Sequence, residues 1–156
     1  MKRVLVLLLT FSLLLICGCS SNDTTTKKGK AYELVNGKPS YQRVDINLAS
    51  MNGTIAYSQV YDMITNPGKY ENKVVKMKGQ FSVYQNQDKT IFYPACVIKD
   101  ATACCAQGIE FVLYGNPPYP TFYPNQQEEI TVIGIFKIYY EGSQQYSHLI
   151  DSVILS

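Results

Sequence analysis

The chain has 156 residues, 14 basic and 12 acidic side chains, five cysteines, one histidine and no tryptophan. That length supports one ordinary domain, and 46% apolar against 17% charged residues excludes a disordered chain. The formal charge of +2 is too small to mark a nucleic-acid binder and is unevenly distributed.

Met1-Lys2-Arg3 is a short basic segment, and Val4 to Ile16 is apolar apart from Thr10 and Ser12. Such a run is too short for a stable bilayer span and has the size of a signal-peptide core. It ends Ile16-Cys17-Gly18-Cys19, followed at once by polar Ser20-Ser21-Asn22. This tetrad resembles the bacterial lipobox, with the small Cys17 standing where Ala, Ser or Thr is more usual. The resemblance implies a signal peptide over 1–18, cleavage after Gly18 and acylation of Cys19. The expected location is the outer face of the cell membrane, where several acyl chains hold more firmly than one.

Loss of residues 1–18 takes Lys2 and Arg3 and no acid, leaving 12 basic against 12 acidic residues. From Cys19 to about Asp45 the chain is rich in Ser, Thr, Lys and Gly and lacks an apolar period, so it reads as a lipidated tether. Such a tether spans on the order of 25–30 Å. From Ile46 to the end seven lysines face nine acids. A slightly acidic domain lacks the phosphate-neutralising surface of a nucleic-acid binder, so no nucleic-acid partner is expected.

The domain, residues 46–156, begins with a short helix. Asn52-Gly53-Thr54 offers its start, and Ala56, Val60, Met63 and Ile64 form one apolar face. Asn66-Pro67-Gly68 ends it, in a sequence that suits a type II turn. Five strands follow. Val75, Met77, Phe81 and Val83 alternate with polar residues, with Gly79 between them. Thr90 to Ile98 is the second strand, and Pro94 suggests an edge or bulge there. Ile109, Phe111 and Leu113 mark the third, Ile130 to Tyr140 the fourth, and Tyr146 to Leu155 the fifth.

Gly79-Gln80-Phe81-Ser82-Val83-Tyr84 and Gly134-Ile135-Phe136-Lys137-Ile138-Tyr139 share the pattern G-x-F-x-[VI]-Y. A glycine within a strand commonly marks a sharp bend in a small barrel. Three meandering strands, a long connection and two more resemble the OB-fold, a five-stranded Greek-key barrel. The resemblance implies that strands one and four pair and that strands three and five run parallel. A β-sandwich or SH3-like barrel is the alternative architecture.

Cys96, Cys104 and Cys105 remain in the domain, with His148 as the lone histidine. The vicinal pair, followed by Gly108-Ile109-Glu110-Phe111, resembles a family of Gram-positive-type bacterial lipoproteins with an OB-fold-like domain. The likeness covers residues 46–156 and brings no activity with it. Three thiolates and an imidazole make a complete tetrahedral zinc set, and in an OB-like barrel all four are expected near one end. The spacing C-x7-C-C matches no established zinc motif. A disulfide from Cys96 to Cys104 or Cys105, with one free thiol, is the competing outcome, and reduced inert thiols are another. A Cys104 or Cys105 nucleophile served by His148, with Asp100 or Asp151 to orient it, is a third-ranked reading, so no enzyme is expected.

Tyr114 to Pro124 sets Tyr114, Tyr119, Phe122 and Tyr123 among four prolines. These rings offer a platform for a glycan or peptide. The favoured expectation is that Tyr119, Phe122 and Tyr123 plug the barrel end that a helix often covers in OB-folds. The expected function is a membrane-anchored binding or accessory module acting without catalysis, with zinc as the cofactor. An interaction domain with structural cysteines is the alternative, and an envelope protein or transporter a possible class of partner.

Overall fold

The computed structural model describes residues 31–155. The expected signal peptide over 1–18 and the lipobox-like tetrad ending at Cys19 lie outside these residues. Among the described residues no helix is long and apolar enough to cross a membrane.

The described residues are mainly β, with eight strands among them: β1 Tyr32–Val35, β2 Lys38–Tyr41, β3 Ile46–Asn47, β4 Val74–Gln85, β5 Phe92–Lys99, β6 Ala106–Leu113, β7 Glu129–Glu141 and β8 Gln144–Leu155. Among the described residues one α-helix, α1 Gly53–Thr65, lies between short 3-10 turns at Leu48–Ser50 and Pro67–Lys69. The Asn52 side chain caps α1 by accepting the Ile55 N–H at 3.0 Å, satisfying one of the orphan donors of its first turn. Ala56, Val60 and Met63 are buried as their spacing predicts, whereas Ile64 is 40% exposed. The apolar stripe is narrower than four residues because Ile64 falls off the face that meets the sheet. Pro67 starts a 3-10 turn where the sequence suggested a type II turn.

β3 to β8 form a six-stranded sheet in the order β3-β4-β5-β6-β8-β7, and an additional β4–β7 pairing closes five of these strands into a circuit. β4 makes this closure. Its residues Val74–Gln80 pair with β7, and Gln80–Gln85 pair with β5. The two predicted glycine bends sit where strands come closest. A Cβ on Gly79 would lie 2.4 Å from the Val97 carbonyl oxygen, and one on Gly134 would lie 2.4 Å from Ser152 Oγ. Only glycine admits these approaches. Predicted strands one and four, now β4 and β7, pair antiparallel, and predicted strands three and five, β6 and β8, run parallel. Phe81, Phe111, Phe136, Met77, Ile109 and Leu149 fill the interior.

Pro94 lies on β5 opposite Val83, and pairing of β5 with β6 begins only at Ala95. It therefore occupies the stretch of β5 that β6 does not reach, where a missing N–H is tolerated.

The expectation of a tether as far as residue 45 does not hold for its last part. β1 and β2 form a hairpin through Asn36-Gly37, both at positive φ (52° and 74°), the geometry of a type I′ turn. The hairpin docks on β8: Tyr32 donates to the Asp151 carboxylate at 2.9 Å, and Tyr41 donates to the Asp151 carbonyl at 2.8 Å. β3 adds a parallel partner to β4 at Ile46↔Val75, ahead of the first predicted strand.

Candidate metal centre

The last β5–β6 pair is Lys99↔Ala106, so Asp100 to Cys105 form the connection between these strands. Asp100 organises that loop. One carboxylate oxygen accepts the Cys104 N–H at 3.0 Å and the Cys105 N–H at 3.4 Å. The other accepts the Thr102 hydroxyl at 2.9 Å and lies 3.3 Å from Cys104 Sγ. The backbone closes around it through Asp100 N–H to the Cys105 carbonyl and Ala103 N–H to the Asp100 carbonyl, both at 3.0 Å. Ala103 takes a left-handed conformation (φ 56°) to complete the turn.

This turn folds both neighbouring thiols toward the same carboxylate. Cys104 Sγ and Cys105 Sγ are 3.5 Å apart, and one ligand atom from each of Asp100, Cys104 and Cys105 lies within 4.8 Å of the others. Both cysteines are exposed, so an ion reaches the loop directly from solvent. Partial burial pushes the Asp100 carboxyl up, but the bonds from Thr102, Cys104 and the Cys104 and Cys105 backbone outweigh it and hold the group below its usual range. Cys105 is held above the ordinary thiol value, first by its hydrogen bond to Cys104, then by the charge of Cys104, burial and Asp100.

The structure brings together two of the four predicted ligands. Cys104 and Cys105 meet, whereas Cys96 and His148 are outside the group, and Asp100 stands in their place. Cys96 is fully buried on β5, its sulfur facing Gly79. Strand alternation explains this, because Cys96 points into the interior while the loop carries its thiols at the surface. Burial pushes the Cys96 thiol up to about 12. From the Lys99↔Ala106 pair to the Cys96↔Ile109 pair is three residues, about 10 Å along the strands. A disulfide from Cys96 to Cys104 or Cys105 is therefore out of reach without backbone movement.

His148 lies on the outer face of β8, opposite Glu110 and Lys137. Its ring stacks on Tyr139 at 4.5 Å between centroids, and desolvation holds the imidazole below its usual value. Glu110 is four residues beyond Ala106, so this register places His148 on the order of 13 Å along β6 from the loop. The parallel β6–β8 pairing is present, but it does not align His148 with the start of β6. The same separation removes His148 as the base for a Cys104 or Cys105 nucleophile.

The Tyr/Pro segment divides. Tyr119 stacks on Phe92 at 4.8 Å, and Tyr123 packs between Phe81 and Phe111 at 6.1 and 6.0 Å. Of the three rings expected to plug the barrel end, these two pack against the core, whereas Phe122 points to solvent. Phe122 is 67% exposed and Tyr114 37%. Both line a cleft of about 420 Å3 with Pro39, Leu113 and Ile154. The four rings do not form one platform.

Asp100 had a sequence signal, an acid ahead of Thr102 and the vicinal cysteines, but spacing alone does not reveal a carboxylate folded back over the next five residues. No protein-family model matches the chain, and no curated protein matches it.

Proposed function

We propose that this chain is a membrane-anchored, extracytoplasmic lipoprotein whose OB-like barrel serves as a non-catalytic binding module, and that its Asp100–Cys105 loop holds a thiophilic divalent ion, zinc foremost. The observation carrying the metal reading is the convergence of one carboxylate and two thiols within 4.8 Å. Two sulfurs and one oxygen suit zinc or a softer ion and are a poor set for magnesium or calcium. The backbone N–H groups that bind one Asp100 oxygen orient the other toward the sulfurs, as outer-shell hydrogen bonds do at metal sites. Three protein ligands on an exposed loop leave a fourth position to water or to a donor from a partner, which suits an accessory module. The closed strand circuit, its glycine bends and the parallel β6–β8 pair support the OB-like reading. Ile16-Cys17-Gly18-Cys19 supports lipidation at Cys19.

The test of the metal site is titration of the reduced full chain with zinc, and with cobalt as a spectroscopic substitute. One ion per chain with a thiolate-to-cobalt absorption band, lost in Cys104→Ser, supports the reading. Zinc uptake unchanged by Cys104→Ser and Cys105→Ser overturns it. Incorporation of labelled fatty acid, abolished by Cys19→Ala, tests the anchor.

The second reading is an interaction module for an envelope protein, a transporter or a glycan. Exposed Phe122 and Tyr114 beside the 420 Å3 cleft favour it.

A further inference from the structure

A second cleft, of about 490 Å3, opens on the outer face of the sheet away from the cysteine loop. Tyr84, Tyr93, Tyr139 and Tyr146 line it together with Glu110 and Glu141. Alternation of side chains along β4 to β8 turns these residues outward while Phe81, Cys96, Phe111, Ile138 and Leu149 point in. The two carboxylates are placed by the rings. Tyr139 donates to Glu110 at 2.6 Å, and Tyr93 donates to Glu141 at 3.1 Å. Tyr139 also stacks on Tyr146 at 5.4 Å and on His148 at 4.5 Å, which makes a row of three aromatic rings.

The charge in this cleft is unbalanced. None of the ion pairs among the described residues includes Glu110 or Glu141. Lys137, two positions before Tyr139 on β7, directs its ammonium group to Asn72 at 2.6 Å instead. Desolvation pushes the half-buried Glu110 carboxyl up, opposed by the Tyr139 bond, with Glu141 adding to the rise. A half-buried carboxylate such as Glu110 is normally paired with a cation, and the exposed Glu141 adds a second negative charge beside it. Glu110 and Glu141 do not belong to a cluster compact enough to chelate a metal ion, the loop at Asp100 being the group of that kind among the described residues. A neutral sugar would leave both charges unpaired.

We propose that this tyrosine-lined cleft binds an organic ammonium group, of the trimethylammonium or alkylammonium type, through the exposed rings of Tyr84 and Tyr146 and the two glutamates. Aromatic faces attract such cations by their quadrupole, and a diffuse, weakly hydrated charge loses little hydration on meeting them. The head group is available as a free small molecule or on a phospholipid, and the two sources share this chemistry.

The experiment is calorimetric titration of the full chain, held in a maltoside detergent, with choline and with its neutral isostere 3,3-dimethylbutan-1-ol. Choline is expected to bind saturably, and the isostere about tenfold or more weakly. Glu110→Gln and the exposed Glu141→Gln are each expected to weaken choline about tenfold, with thermal melting as the check on folding. Binding of choline to the free chain identifies the small molecule as sufficient. A response confined to phosphatidylcholine vesicles, and lost in Glu141→Gln, identifies the lipid head group. Equal binding of choline and isostere, no binding of choline in either form, or affinity unchanged by both glutamate variants overturns the proposal.

Discussion

Asp100 grips Cys104 from both sides of its carboxylate: one oxygen accepts the Cys104 N–H at 3.0 Å, and the other lies 3.3 Å from its sulfur. The carboxylate is thus both part of the turn and one of the three groups that could hold an ion there. Asp100→Asn preserves an acceptor for the backbone N–H groups but removes the anionic oxygen. Its zinc affinity should fall about tenfold to a hundredfold, with little change in melting temperature. Competition with a chelating dye measures the first and a thermal scan the second; equal zinc affinity in variant and parent would remove Asp100 from the site.

Zinc affinity should rise with pH. A thiol binds metal as the thiolate, and the proton of Cys105 is held more firmly than usual, first by its hydrogen bond to Cys104. Metal uptake near neutrality therefore displaces that proton, and each displaced proton contributes up to about tenfold in affinity per pH unit. Zinc competition at several pH values across neutrality checks the slope. A flat profile would mean that the metal does not use Cys105.

Cys96 should stay silent to alkylating reagents until the chain unfolds, whereas Cys104 and Cys105 react in the native state. Its thiol titrates near 9.0 when exposed and is pushed up to about 12 in the fold by burial. Below the lower value both states hold the proton and stability is unaffected by it. Above that value the unfolded chain loses the proton first, so stability falls as pH rises towards the folded value, by at most about 1.4 kcal/mol per pH unit. Denaturant midpoints for parent and Cys96→Ala across that alkaline range isolate the effect; parallel curves would contradict it.

Gly79→Ala tests the bend in β4. The added methyl would meet the Val97 carbonyl oxygen at 2.4 Å and its carbon at 2.9 Å, and backbone cannot swing aside as a side chain can. Destabilisation of about 1–3 kcal/mol is expected from this overpacking. Gly108→Ala meets the Val97 side chain at 3.0 Å and should cost less. Urea denaturation of both variants orders them, and the reverse order would refute the account.

Tyr41→Phe should loosen the amino-terminal hairpin without disturbing the strand circuit. It deletes the 2.8 Å bond to the Asp151 carbonyl, a loss of about 1 kcal/mol. Hydrogen exchange should quicken in β1 and β2, while β4 to β8 keep their protection. Uniform quickening would show that the hairpin and the sheet open together.

Much of this fold was legible because its strands alternate and its bends carry glycine. Val75, Met77 and Phe81 point inward on β4 as their pattern requires, and Gly79 and Gly134 stand where chains approach too closely for a side chain. The hairpin at Tyr32–Tyr41 was harder to see because it has little apolar alternation and Pro39 interrupts it. Its one local signal, Asn36-Gly37, sits in a stretch whose composition suggests a tether. Tyrosine hydroxyls from that hairpin find Asp151 110 and 119 residues away, a pairing with no local trace.

The candidate sites divide along the same line. By itself the sequence determined that two thiols are adjacent, that the strands alternate and that the glycines bend them, since these depend on neighbours along the chain. Only the tertiary structure decided which groups meet the thiols. Strand parity sends Cys96 into the core, the β6–β8 register leaves His148 beside Tyr139, and the Asp100 turn brings a carboxylate to Cys104 and Cys105. It likewise gathers Tyr93, Glu110, Tyr139 and Tyr146 from four strands into one cleft. A strand pattern specifies which face a side chain takes; the register between distant strands specifies what it faces.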